Sequence, residues 1–219
     1  MPYHSRHHVA EAVRSIALLG AQACRDGSLT PALAGLGVIA MVGHDWGHDG
    51  TPGGDGRLEA IAAACVAPFL ASLAPPDAAV IRTVILGTNP SLVARNAMRA
   101  AAANGPNADR LCQIANEADV LASLLPALGW QQARALAREW RGTPPAGEVA
   151  SFTGRLRLLR AYDHFSPAAT TAGLAAICHR QIAAFAAATG LAADAAAAAL
   201  DAMPCVQAHD VYGAALATA

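Results

Sequence analysis

Residues 31–50 have the sequence PALAGLGVIAMVGHDWGHDG, an apolar run that ends in a His-Asp pair. The apolar residues recur at helical spacing and predict a helix over residues 31–43. A helix that is apolar all round is expected to be buried, so its end should carry His44 and Asp45 into the interior. The stretch 45–56 then contains five glycines and one proline. Because glycine lets the backbone bend closely around other groups, we expect this stretch to form the rim of a site.

The rest of the chain predicts an all-α fold. Its hydrophobic content of 54% comes largely from alanine, the residue that loses least entropy in a helix. Pro, Gly and Asn clusters separate segments of ordinary helix length. We predict helices at residues 5–24, 31–43, 57–73, 77–87, 90–103, 107–125, 129–141, 149–163, 167–189 and 191–202.

The length of 219 residues suits one domain, and we expect a single helical bundle over residues 1–219. The stretch 142–147 contains two prolines and two glycines and resembles a linker, but too little chain follows it for a second core. The five cysteines are scattered without a C-x-x-C pair and are expected to be buried, reduced thiols.

Charge and hydropathy limit the partners. The formal net charge is −1, which gives no reason to expect nucleic acid or an anionic membrane as the main partner. All 15 basic residues are arginine, which excludes a lysine Schiff base and a P-loop lysine. No apolar run reaches the roughly 18 residues of a membrane span, and the polar N-terminus does not resemble a signal peptide. We expect a cytoplasmic protein, and the oligomeric state stays open.

A cluster of histidines lies near the N-terminus, in the sequence YHSRHH of residues 3–8. On a helical wheel His8 borders the apolar face, His4 lies one turn earlier beside it, and His7 points to the opposite side. His4 and His8 are therefore expected to face one pocket. By itself the cluster is equally compatible with a solvated group of histidines. A second His-Asp pair, at residues 209–210, is expected at the surface.

Two spaced patterns resemble a known family. The pattern Y-H-x-x-x-H at residues 3–8 and the pattern H-D-x-x-H-x-G at residues 44–50 are similar to those of the HD superfamily, in particular the catalytic domain of the cyclic nucleotide phosphodiesterases. The similarity covers roughly residues 3–125. It implies an all-helical domain with a metal site in its core and a phosphoester-hydrolysing activity.

The resemblance also implies roles for individual residues. His4 corresponds to the general acid, and His8, His44 and Asp45 correspond to metal ligands. The ligand types suit one or two divalent ions, Zn, Mn, Mg or Fe, rather than a soft thiolate-bound metal. His48 is expected to orient the reaction centre by hydrogen bonding.

The fourth ligand is expected in the segment NEADVLAS, residues 116–123. The helical wheel does not separate Glu117 from Asp119, because both flank the apolar face. The family has an Ala-Asp segment here, and this resemblance selects Asp119. An isolated acid on a helix is more often solvated, so the assignment depends on the motif.

Weaker similarities leave their alternatives open. Thr88 and Asn89 resemble a family segment that holds metal-bound water, but Asn89 replaces an Asp and can equally be a helix end before Pro90. Glu59 can reach a metal-bound water or favour the first turn of its helix through the dipole. Arginines 155, 157 and 160 can contact a phosphate, although a solvated helix face is the more common role. His164 and His179 are treated as structural.

The expected function is hydrolysis of a small phosphodiester or phosphomonoester, in which a metal-activated hydroxide attacks phosphorus and His4 protonates the leaving oxygen. The chain departs from the phosphodiesterase pattern at Ser5 and Asp49, and no glutamine and aromatic clamp for a purine is recognisable. Two alternatives remain. One is a non-catalytic metal-binding or regulatory domain. The other is a di-iron oxygenase of HD type, which is disfavoured because no histidine lies between His48 and His164.

Overall fold

The computed structural model of the protein describes residues 1–162 and 164–189. These residues form helices, turns and loops without any strand, which confirms the all-α prediction for this part of the chain. The predicted helix at 191–202, the His-Asp pair at 209–210 and Cys205 lie outside the described residues.

Eleven α-helices and one 3-10 turn make up the described chain. The helices are α1 (Arg6–Arg25), α2 (Pro31–Gly43), α3 (Arg57–Leu70), α4 (Pro75–Gly87), α5 (Val93–Ala102), α6 (Ala108–Leu124), α7 (Pro126–Glu139), α8 (Pro145–Val149), α9 (Phe152–Ala161), α10 (Pro167–Thr171) and α11 (Leu174–Thr189), with the 3-10 turn at Pro90–Leu92.

Side-chain caps begin several of these helices. Thr30 accepts a hydrogen bond from the Leu33 amide at the start of α2, and Asn107 accepts one from the Arg110 amide at the start of α6. Such caps satisfy amides that have no partner inside the helix. The predicted bounds of these two helices are therefore correct to within a residue.

Several predicted helices differ from the structure. The helix predicted at 57–73 ends at Leu70, the one predicted at 77–87 begins at Pro75, and the one predicted at 90–103 is a 3-10 turn followed by α5. The segment predicted at 129–141 begins earlier, at Pro126, because Leu125 is extended and proline suits the first helical position. The segment predicted at 149–163 begins at Phe152, after the N-cap residue Ser151. The segment predicted at 167–189 is two helices, separated at Gly173, whose φ of +84° is left-handed.

Helix α6 lies at the centre and contacts α1, α2, α4, α5, α7, α10 and α11. Its residues Leu111 and Ile114 are fully buried. Close packing against α2 depends on Gly37, where a Cβ would lie 2.7 Å from Leu111 Cδ1. The contact brings the end of α2, the middle of α6 and the adjacent α1 together, and these three elements carry the candidate ligands.

The prediction that α2 is buried is only half right. Its inner face is buried at Ala40 and Met41, whereas Ile39, Val42 and the following Trp46 are 43%, 60% and 49% exposed. Neighbouring helices cover the inner side of α2 and leave this outer stripe open. Within residues 1–162 and 164–189 no helix combines the length and apolarity that a bilayer crossing needs.

The cysteines of the described chain are unpaired. Cys112 and Cys178 are buried, and Cys24 and Cys65 are half-buried. Burial raises the pKa of the Cys112 thiol to about 11, so it stays protonated at neutral pH. This agrees with the expected reduced thiols for the four cysteines described.

Candidate metal centre

The four side chains that were predicted from the sequence to be metal ligands lie close together in the structure. His8 Nε2 lies 3.2 Å from Asp45 Oδ2 and 3.0 Å from Asp119 Oδ1. His44 Nε2 lies 3.3 Å from the same Asp45 oxygen and 3.1 Å from the same Asp119 oxygen. The two imidazole nitrogens are 3.4 Å apart. Each carboxylate oxygen thus contacts both imidazole nitrogens, and the ligand atoms of His8, His44 and Asp45 all lie within 4.8 Å of one another.

Three helices deliver these ligands. His8 lies on the inner face of α1 and is 4% exposed, whereas its neighbour His7 is exposed, as the helical wheel predicts. His44 and Asp45 follow the last residue of α2 directly. Asp119 lies in the second half of α6.

The spacing suits a first-row or magnesium-sized cation. Ligand atoms about 2.0–2.1 Å from a central ion are about 2.8–3.0 Å apart at octahedral angles and about 3.3–3.4 Å apart at tetrahedral angles. The observed separations of 3.0 to 3.4 Å lie in this range. Imidazole nitrogen mixed with carboxylate oxygen suits zinc, iron or manganese, and the carboxylates alone suit magnesium.

His44 is oriented for coordination by a hydrogen bond on its other nitrogen. Its Nδ1–H donates to the Met41 carbonyl oxygen at 2.8 Å. This fixes the tautomer in which Nε2 carries a free lone pair, the usual arrangement of a metal-binding histidine. The ring is buried, so the bond also holds it in one orientation.

Asp45 supplies a second indication of a bound cation. Its Oδ2 is buried, and the imidazole nitrogens of His8 and His44 lie 3.2 and 3.3 Å from it. A buried carboxylate is costly unless it is paired or coordinates a metal. The donor set and the burial of this oxygen together fit a divalent ion.

The two carboxylates make the pocket attractive to positive charge. Burial opposes protonation of His8, but its hydrogen bonds with Asp119 and Asp45 outweigh burial and raise its pKa to about 10. Burial likewise opposes protonation of His44, whose pKa is nevertheless raised by the charges of the same carboxylates. Burial disfavours the charged form of Asp119, yet His44 and His8 lower its pKa. A proton or a metal ion is therefore stabilised at this point.

Glu117, which the wheel left as an alternative ligand, lies elsewhere. Its carboxylate is 2% exposed and accepts hydrogen bonds from the Ser166 amide and the Ser166 hydroxyl, at 2.5 and 2.6 Å. Burial raises its pKa to about 7. It ties α6 to the start of α10 and has a structural role.

His4 lies in the turn that precedes α1 and is held by a residue that sequence reasoning missed. Its Nδ1–H donates to Glu139 Oε1 in a short contact, and its amide donates to Glu139 Oε2 at 3.1 Å. The Tyr3 amide donates to the same oxygen at 2.8 Å. Glu139 ends α7, where the helix dipole disfavours an acid, and this unfavourable position is the signal that the sequence offered.

His48 stacks on His4, with ring centroids 3.5 Å apart and planes 17° from parallel. The Gly50 amide donates to His48 Nδ1 at 2.9 Å, and Gly50 reaches this position with a φ of +79°. Burial and the charge of His4 lower the pKa of His48. The neutral ring then carries its proton on Nε2 and acts as a hydrogen-bond donor.

The group His4, His48 and Glu139 also has the composition of a metal site, since one ligand atom of each lies within 4.8 Å of the others. Its geometry is less suitable than that of the first group. Rings stacked nearly parallel point their in-plane lone pairs side by side instead of toward one point. The group of His8, His44 and Asp45 is therefore the better candidate for a metal site, and Asp119 contacts both of its histidines.

A cavity of about 110 Å³ lies against both groups. Its walls include Glu59 and Thr88 as well as the apolar side chains of Leu58 and Pro90, and Trp140. Glu59 Oε2 is buried and has no hydrogen-bond partner among the described residues, and burial raises the pKa of this carboxyl. Of its two predicted roles, the position in the cavity favours contact with a ligand or water there.

The neighbouring Thr88 and Asn89 have different roles. Thr88 lines the cavity, and its hydroxyl donates to the Ile85 carbonyl oxygen at 2.7 Å. Its oxygen remains able to accept. The Asn89 side chain accepts from the Ser91 amide and hydroxyl, at 2.9 and 2.7 Å. Asn89 therefore caps the 3-10 turn, the alternative that sequence analysis kept open.

The three arginines of α9 do not line this cavity. Arg155 is 1% exposed, and its guanidinium donates to the Ser123, Leu124 and Leu125 carbonyl oxygens at the end of α6. Neither a solvated face nor a phosphate contact describes it. Arg157 and Arg160 are exposed, as are His164 and His179.

Comparison of the chain with protein families, with curated proteins and with solved structures found no match in any of the three.

Proposed function

We propose that this protein is a metal-dependent phosphohydrolase of HD type that acts on a small phosphodiester or phosphomonoester. One observation carries the proposal: two imidazole nitrogens contact two carboxylate oxygens beside a cavity that is also lined by His4, whose ring is held by Glu139. A metal site and a proton donor at one cavity are the two parts that phosphoester hydrolysis needs.

The residues that would hold the metal are His8, His44, Asp45 and Asp119. A divalent ion bound there would supply Lewis acidity toward a phosphoryl oxygen and would activate water as a nucleophile at neutral pH. Zn, Mn, Mg and Fe all fit the ligand types. If two ions bind, Asp45 would be among the residues that hold them, because its carboxylate has two oxygens that can act as ligands.

His4 is the proposed general acid. The Glu139 carboxylate accepts a hydrogen bond from Nδ1 and orients the ring, and in the proposed mechanism Nε2 carries the proton that is donated. In the proposed step this Nε2 proton passes to the leaving oxygen as the bond from phosphorus to that oxygen breaks. Glu139 then stabilises the orientation of the neutral ring.

His48 has a different role in the proposal although it stacks on His4. Two stacked imidazoles disfavour a second positive charge, and burial adds to this effect. His48 is therefore neutral and donates from Nε2 to a substrate oxygen. Two equivalent side chains in different surroundings acquire the acid and the donor roles, a common pattern in active sites.

The substrate is proposed to be small at its reacting end. Drug-sized ligands occupy pockets of roughly 300–1,000 Å³, whereas this cavity measures about 110 Å³. It can admit a phosphoryl group but leaves the rest of the substrate outside. Purine cyclic nucleotides are expected to be poor or unspecific substrates. A duplex nucleic acid is not expected to bind, because a chain with a net charge of −1 and no lysine has little drive for counterion release.

Metal-free protein reloaded separately with Mn, Mg, Zn or Fe tests the proposal. The substrates are bis-p-nitrophenyl phosphate, p-nitrophenyl phosphate, cyclic AMP, cyclic GMP and nucleoside monophosphates. We expect the wild type to turn over at least one aryl ester. His4→Gln should lower kcat by about 10²–10⁴-fold at unchanged metal content, and His7→Ala should change kcat little.

Three results would contradict the proposal or a part of it. No turnover of any ester with any of the metals would favour the alternative of a non-catalytic metal-binding domain. Saturable turnover of one cyclic purine nucleotide with inert aryl esters would contradict the expected specificity. A large loss of kcat in His7→Ala together with an unchanged kcat in His4→Gln would contradict the assignment of the general acid.

A further inference from the structure

Trp140 lines the same cavity and carries a donor without an acceptor. It follows the last residue of α7, next to Glu139. Its Nε1 is buried and has no hydrogen-bond partner among the described residues. Buried indole N–H groups nearly always have an acceptor. A ligand in the adjoining cavity is the natural source of one.

The other donors at the cavity indicate what this ligand is. No lysine or arginine is among the described residues that line it, and the donors of Thr88 and His44 bond to main-chain carbonyls. The remaining side-chain donors there belong to His4, His48 and Trp140. Three N–H groups beside a metal site suit a group with several acceptor oxygens. A phosphoryl group presents such oxygens in a tetrahedron.

The backbone places the proposed acid-orienting residue and this donor in consecutive positions. The Glu139 carboxylate holds His4, and the indole of Trp140 forms part of the cavity wall. The Trp140 amide donates to the Leu136 carbonyl at 2.9 Å, and the Trp140 carbonyl accepts from the Thr143 amide at 2.9 Å. The main chain that carries the indole is thus fixed on both sides.

We propose that Trp140 Nε1 donates a hydrogen bond to a non-bridging phosphoryl oxygen of the substrate and of inorganic phosphate, and thereby contributes to substrate binding. This inference rests on the proposed function, because it assigns the phosphoryl group to the cavity. It adds a binding contact that neither the metal ligands nor the His4–Glu139 pair supplies.

Trp140→Phe tests the contact, because it removes the N–H and keeps an aromatic ring. The matched control is Trp130→Phe on the same helix: Trp130 lies outside the cavity and has the Arg134 guanidinium 5.9 Å from its ring centroid. The affinity for inorganic phosphate is measured by calorimetric titration of the zinc-loaded protein. We expect Trp140→Phe to bind phosphate at least about 10-fold more weakly than wild type, and Trp130→Phe to bind it with wild-type affinity. Metal content and melting temperature are measured for both variants.

A second measurement uses the wild-type protein and does not depend on the folding of a variant. The chain has three tryptophans, and their indole N–H signals in a ¹H–¹⁵N spectrum can be assigned with Trp46→Phe and Trp130→Phe. Phosphate should shift the Trp140 signal downfield and slow its exchange with water. The signals of Trp46 and Trp130 should stay in place.

The outcomes separate this inference from the proposed function. Equal phosphate affinity in wild type and Trp140→Phe, an unmoved Trp140 signal, or no phosphate binding by the zinc-loaded wild type would overturn the contact. Selective loss of phosphate affinity in Trp140→Phe, in a protein that hydrolyses no ester, would support the contact and contradict the hydrolase. If the wild type hydrolyses an ester and Trp140→Phe keeps the same KM, the proposed hydrolase activity is supported and the Trp140 contact is contradicted.

Discussion

His8→Ala removes one nitrogen from the candidate metal centre. That nitrogen lies 3.0 Å from Asp119 Oδ1 and 3.2 Å from Asp45 Oδ2, so its loss opens the ligand group on the side of α1. His7 is the matched control. It is adjacent in the chain, has the same chemistry and is exposed. We expect His8→Ala to lose the metal and His7→Ala to keep it.

The effect on stability follows from mass action. A ligand present at 100 times its Kd stabilises the folded state by about 2.7 kcal/mol. A chain of this size changes its Tm by about 2–4 °C per kcal/mol, so metal should raise the Tm of wild type by about 5–10 °C. His8→Ala should lose this increment.

The comparison must be made within each variant. His8 is 4% exposed, so its replacement also leaves a cavity and lowers the Tm with or without metal. Scanning calorimetry of each protein in excess chelator and in excess Zn or Mn isolates the metal-dependent increment. Elemental analysis after dialysis gives the metal content, and circular dichroism reports whether helical content is retained.

The reasoning would be refuted if His8→Ala kept a full complement of metal and the wild-type increment. It would also be refuted if the Tm of wild type were the same after the metal is shown to be removed. A loss of metal in both His7→Ala and His8→Ala would mean that the orientation of α1 is wrong.

Three further predictions concern other parts of the molecule. Glu139→Gln should lower kcat by about 10–100-fold at constant metal content, because it weakens the contacts that orient the His4 ring; steady-state kinetics measure it. Burial raises the pKa of Glu117 in the folded state to about 7 from an ordinary value of 4.5. Its contribution to the free energy of unfolding is therefore present below about pH 4.5 and is lost as the pH rises through 7. Urea unfolding between pH 4 and about pH 8 should show that Glu117→Gln loses less unfolding free energy over this range than wild type. Gly129→Ala should cost about 1–3 kcal/mol in unfolding free energy, because its Cβ would overlap the Arg155 guanidinium.

The sequence predicts the ligands better than it predicts their surroundings. Helical periodicity alone separates His8 from His7, since one residue changes the direction of a side chain on α1 by about 100°. The apolar run of α2 predicts the burial of His44 equally directly. Both results depend on local structure, which a single segment determines.

Residues chosen by tertiary contacts are the ones that local patterns do not identify. Glu117 and Asp119 flank the same apolar face, and only the position of Ser166 near Glu117 separates their roles. Glu139 is 135 residues from His4, and periodicity carries no information over such a separation. Trp140 resembles any tryptophan at a helix end until the cavity beside it is known.

The wide spacing of the ligands along the chain has a kinetic consequence. His8 is 36 residues from His44, which is itself 75 residues from Asp119. The chain between His8 and His44 and the chain between His44 and Asp119 both have to be ordered before the four side chains come together. A cation therefore has no preformed site early in folding. A metal that binds only after the folding transition state leaves the folding rate nearly unchanged and slows unfolding. Metal should therefore lengthen the lifetime of the folded protein, the property that governs resistance to irreversible heat inactivation.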